Sequence, residues 1–163
     1  MTAYRTTVTS EPETTAHHTT AVVRPVRRPI DLQSTTYVFL RVGAGILFFQ
    51  HGAQKLLGWF GGMGGEGATA PLFSLIGLAG VLELVGGVLL VLGLFVIPVA
   101  TILTIEMLFA YAIAHMPQGG WPIQNQGELA LLYALVFAFF AAHGAGAVSL
   151  DRWIAARGVS GSR

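Results

Sequence analysis

Four apolar runs, each close to twenty residues long, constrain what this chain can fold into more than any other feature. They extend roughly over Tyr37 to Trp59, Leu72 to Leu94, Val96 to Met116 and Leu129 to Ala147. A hydrocarbon core about 30 Å thick needs about 20 helical residues at 1.5 Å each. The runs therefore predict an all-α, polytopic membrane protein built as a four-transmembrane-helix bundle. The breaks between them agree. "GWFGGMGGEGATAP" reads as a glycine-rich loop, with Pro71 at a helix start. "GLFVIP" allows only a tight turn before Pro98, and "PQGGWPIQNQGE" carries amides and prolines that do not suit lipid. A soluble helical bundle is the alternative, but 10% of the 163 residues are charged, against about a quarter in soluble domains.

Charge sets the orientation. Seven arginines flank the apolar region: Arg5, Arg24, Arg27 and Arg28 before it, Arg152, Arg157 and Arg163 after it. The two longer loops hold neither Lys nor Arg. The positive-inside rule then places both termini in the cytoplasm. Trp59 and Trp121 fall at the outer interface and Trp153 at the inner one, as an aromatic belt requires.

Three segments follow. Residues 1–34 are rich in Thr, Pro and charge, and are expected to form a disordered cytoplasmic tail. No apolar core with a cleavage site follows those charges as in a secretory signal. Residues 35–149 form the membrane domain, and 150–163 a short interfacial helix and tail, with Ser149 as its cap. His17 and His18, adjacent in the tail, read as solvated, and no metal site is expected. Cysteine is absent, which excludes disulfides and thiol chemistry. A basic cluster confined to the tails argues against nucleic acid as a partner. "GAGAVS", Gly144 to Ser149, has dinucleotide-loop spacing but follows a helix rather than a strand. Gly43, Gly45, Gly77, Gly80, Gly86 and Gly87 read as close helix contacts.

Ionisable groups inside spans are costly and mark function. Arg41, His51 and Lys55 lie in the first span, Glu83 in the second, Glu106 and His115 in the third, and Glu128 and His143 at the ends of the fourth. Arg41 can snorkel to the inner surface; His115 and His143 read as interfacial. Glu83 and Glu106 fall near mid-span and need partners or protons. His51 and Lys55, four apart, share a helix face. The expected site is a polar cavity open to the outer side, lined by Arg41, His51, Lys55, Glu83, Glu106 and Glu128. His51, Lys55 and Glu83 are its candidate catalytic residues. Within it, Lys55 and Glu128, at one level, are expected to pair.

The stretches "RVGAGILFFQHGAQKLLGWFGG", "GVLELVGGVLLVLGLF" and "GELALLYALVFAFFAAHGAGAVSLD", in that order, resemble the DoxX family of bacterial four-helix membrane proteins. The likeness covers residues 37 to 151. It implies a component of an oxidoreductase system. Relatives include a subunit of a thiosulfate–quinone oxidoreductase, and mycobacterial members are associated with superoxide dismutase and a sulfurtransferase. The family's polar positions correspond to Arg41, His51, Lys55, Glu83 and Glu128, with Glu106 less clearly among them. The first reading of function is thus a redox component that handles a quinone or a small sulfur or oxygen species. Redox partner proteins would carry the electrons, and a homo-oligomer is compatible with this reading. A small proton- or solute-coupled transporter and a non-catalytic membrane anchor for a redox complex are the alternatives.

Overall fold

The computed structural model describes residues 31–160, and the segments in which it orders them are helical. Of the expected tail over 1–34, residues 1–30, with His17, His18 and four arginines, lie outside the described residues, as does Arg163; Leu32, Gln33 and Ser34 instead open the first helix.

Helix α1 spans Leu32–Leu57, five residues longer at its start than its apolar run. The reason is local: the Asp31 carboxylate accepts the amide of Gln33 at 3.2 Å and the Ser34 hydroxyl at 2.8 Å, an N-cap that the hydropathy pattern does not show. Gly58, at φ 69°, ends the helix in the left-handed conformation. Helix α2, Leu75–Leu92, starts from Ser74, whose hydroxyl accepts the Gly77 amide at 3.0 Å. The expected start at Pro71 is therefore corrected to Ser74. Helix α3, Val96–Ala110, continues through a π turn, Tyr111–His115, and a 3-10 turn, Met116–Gln118. A short α4, Pro122–Asn125, precedes α5, Glu128–His143, which Gly144 stops at φ 74°. Helix α6 is Leu150–Ser160.

Among the described residues, three segments are long and apolar enough to cross a membrane: Leu32–Leu57, Leu75–Leu92 and Val96–Gln118. The fourth apolar helix, α5, has 16 residues and ends four short of its expected Ala147, which gives it a length of about 24 Å. Large apolar side chains such as Phe39, Phe73, Phe109 and Leu135 point outward. For a helical protein with so few charges, that surface fits lipid rather than water.

Helix α1 packs chiefly on α2 and α3 chiefly on α5, with α2 against α3 joining the two pairs. Phe48, Leu90, Leu103, Phe137 and Phe140 fill the shared core. Glycines set the α1–α2 spacing. A Cβ on Gly45 would stand 2.8 Å from the Gly87 carbonyl oxygen, and one on Gly52 2.7 Å from that of Gly80. The two contacts are seven residues apart on each antiparallel helix, so the backbones touch along two turns. Gly43, expected in the same surface, faces open space.

One end of the bundle, here the terminal end, carries the start of α1, the end of α5 and the α2–α3 turn. It is held by polar bonds. Arg41, 1% exposed, donates through Nη1 to the carbonyls of Leu90 and Val91 at the C-terminus of α2, and through Nη2 to Val148 at 2.7 Å. Asp151 accepts the amides of Phe95 (2.8 Å) and Val96 (3.1 Å) at the start of α3. A cation thus meets a helix C-terminus and an anion an N-terminus, as the helix dipoles favour. The Tyr37 hydroxyl donates to the Gly144 carbonyl. Ser149 accepts the Arg152 amide at 3.3 Å and so caps α6 as expected.

Candidate functional site

The charged groups that converge come from three helices. Lys55 lies two residues before the end of α1, and Glu83 midway along α2. Helical side chains lean toward their N-terminus, so Lys55 reaches back from the loop end into the bundle. Its Nζ stands 2.5 Å from both Glu83 oxygens, with the lysine side chain 20% exposed and the glutamate 4%.

Glu106 joins them by register. Gly86 of α2 packs against Leu103 of α3, where a Cβ would stand 2.9 Å from the leucine Cδ2. One turn toward the loop end on both antiparallel helices are Glu83 and Glu106, so they are level. Glu106 feels the charges of both Glu83 and Lys55. Both of its carboxylate oxygens are buried and without a hydrogen-bond partner among the described residues. Such a group is rare in folded proteins and calls for an explanation.

His51, one turn deeper than Lys55, closes a side of the cluster. Its ring lies 6.0 Å from that of Tyr133, edge to face, and 6.4 Å from that of Phe48. Tyr133 also packs at 5.1 Å on Phe48, and its hydroxyl makes no hydrogen bond among the described residues. Tyr133 is not among the residues that the sequence brings to the site. Its aromatic body reads as core, and only the packing on His51 assigns it.

Two members of the expected cavity are elsewhere. Arg41 is 14 residues from Lys55 on the same helix, about 21 Å along its axis, and is spent on the carbonyls at the terminal end. Glu128 is exposed at the start of α5, beside Pro122 and Leu132, and does not pair with Lys55. The expected Lys55–Glu128 pair is corrected to Lys55–Glu83. Equal depth brought Glu128 into consideration, but the backward lean of the lysine decides. His115 and His143 lie at span ends, with Nδ1 at 3.0 Å from the Asn125 carbonyl and 2.9 Å from that of Phe139. Asn125, 1% exposed, organises the loop end: its amide donates to Gly119 (2.8 Å) and its oxygen accepts from Gly127 (2.9 Å). No cluster of His, Cys, Asp and Glu among the described residues could hold a metal ion.

Apolar helices enclosing an ion pair and an unpartnered carboxylate define a helical membrane protein with a charged site in its interior. The chain matches the DoxX family profile over residues 36–116. It is also 46% identical, over 117 residues, to an uncharacterized protein of Haemophilus influenzae, an alignment covering 69% of this chain and 86% of that protein. The chain belongs to the DoxX family. No solved structure matches it.

Proposed function

We propose that this chain is a four-span plasma-membrane component of a redox system, with both termini cytoplasmic, that binds a quinol-type carrier at the Lys55–Glu83–Glu106 cluster. The observation that supports this most is Glu106. Two buried acceptor oxygens without donors cost several kcal/mol by the usual transfer scales, unless they hold a proton or meet a donor that enters. A quinol hydroxyl is such a donor. Lys55, already paired, can lend its remaining N–H to a quinone oxygen, and His51 beside it can exchange protons. When a redox partner protein takes two electrons from the quinol, its two protons need acceptors. Glu106 and His51 are the candidates at hand.

The family resemblance supports the same class, since relatives include a subunit of a thiosulfate–quinone oxidoreductase. The test is quinol binding to the purified protein in mild detergent, followed by titration of a short-chain ubiquinol analogue. Wild-type protein should bind it and Glu106→Gln should bind at least tenfold more weakly. Equal binding by both, or none by either, would sink the reading. Cysteines placed at Gly64 and Gln124 should label only from outside the cell.

A further inference from the structure

Helix α6 serves no part of that site, yet its surface is organised. Leu150, Trp153 and Ile154 are exposed and recur at helical spacing on one face. Arg157 continues the same face, and its guanidinium sits 3.6 Å over the Trp153 ring. Asp151, the one carboxylate in α6, is turned away from that surface to cap α3. Arg152 and Arg157 are thus left without a nearby acid on the helix, and both are exposed. The link from α5 is six residues, Gly144–Ser149, and it is tied down by Arg41 through Val148 and by the Asp151 amide donating to Gly93 at 3.0 Å. The helix is therefore held at the level where the apolar bundle ends. A basic helix with exposed Leu, Trp and Ile, fixed at a bilayer boundary, has the composition of an interfacial segment.

We propose that α6 lies in the membrane interface and gathers anionic phospholipid head groups through Arg152 and Arg157, with Trp153 and Ile154 seated at the acyl boundary. Phosphate groups supply the bidentate acceptors that guanidinium matches. The cation–π contact keeps Arg157 next to the ring while its outer N–H groups face the head groups. Because Asp151 and Val148 belong to the clamp at the terminal end, lipid bound at α6 also holds that clamp in place.

The test uses the full chain carrying Trp59→Phe and Trp121→Phe, both exposed positions, so that Trp153 is the sole tryptophan. It is reconstituted in vesicles of phosphatidylcholine with a fixed fraction of phosphatidylglycerol, and bromine is placed on the acyl chains of one lipid at a time. Brominated phosphatidylglycerol should quench Trp153 several-fold more strongly than the same mole fraction of brominated phosphatidylcholine. High salt should reduce that excess. Arg152→Gln with Arg157→Gln should abolish it while leaving quenching by phosphatidylcholine unchanged, even though the N-terminal arginines remain. Absence of quenching by either lipid, as for a helix that docks on a protein instead, would overturn the proposal. So would equal quenching in the parent chain, or an excess that survives the arginine substitutions.

Discussion

Lys55 and Glu83 meet at 2.5 Å although one stands at the end of its helix and the other at the middle. The pair ties α1 to α2 below the loop end, and its lysine is held off the lipid. Removing one partner strands the other, which costs about 3 kcal/mol for a buried ion pair, whereas removing both costs less. Lys55→Met and Glu83→Gln should each lower thermal stability in detergent, and the double variant should recover part of the loss. A fully additive cycle would mean that the two are not coupled. Glu128→Gln should change stability by less than about 0.5 kcal/mol, as befits an exposed residue outside that pair.

Glu106 is expected to behave in the opposite way. Its oxygens have no partner to lose, so Glu106→Gln replaces the carboxyl group by an amide of the same size without breaking a bond. Stability should change by less than about 1 kcal/mol, while quinol binding falls. A clear loss of stability would reveal a donor to Glu106.

The clamp at the terminal end should be separable from the site. Asp151→Ala leaves the Phe95 and Val96 amides uncapped and should cost about 1–2 kcal/mol. Arg41→Lys retains the charge but cannot span both the α2 carbonyls and Val148, and should destabilise by a similar amount. Neither should alter quinol affinity in protein that remains folded, since Arg41 is about 21 Å along α1 from Lys55. A binding defect in both would place the clamp and the site in one unit.

Much of the architecture was legible because length and hydropathy report on lipid directly. The three longer spans lie close to their apolar runs, and the Ser149 cap was readable from its residue type. The partners were less so. Counting residues along a helix gives depth, and depth alone favours Glu128 for Lys55. The lean of the side chain and the α2–α3 register, set by Gly86 against Leu103, are needed to select Glu83 and to bring Glu106 level with it. Asp151 illustrates another limit. It caps a helix that starts 55 residues earlier in the chain, and nothing local in "SLD" points there. Arg41 was readable as a cation inside the first span, free to snorkel or to line the cavity, but its burial on a helix terminus depends on where α2 ends.

The α1–α2 glycines give the most direct test of how the site is held. A methyl group on Gly52 would lie 2.4 Å from the Leu84 amide nitrogen and 2.7 Å from the Gly80 carbonyl oxygen. These are backbone atoms, which cannot rotate aside, so Gly52→Ala must push the helices apart. The expected cost is about 2–3 kcal/mol, as for other overpacked cores. Lys55 and Glu83 each lie three residues from this contact, so the same displacement stretches their 2.5 Å pair. Gly43 is the internal control. It is on the same helix, but a Cβ there meets nothing within 4 Å, and Gly43→Ala should be neutral or stabilise by up to about 1 kcal/mol through helix propensity alone. The measurement is thermal stability and quinol titration on both variants in one detergent. Gly52→Ala should lose stability and affinity together and Gly43→Ala neither. Equal melting temperatures would mean that α1 and α2 do not touch at Gly52, and the position of Lys55 against Glu83 would then need another support.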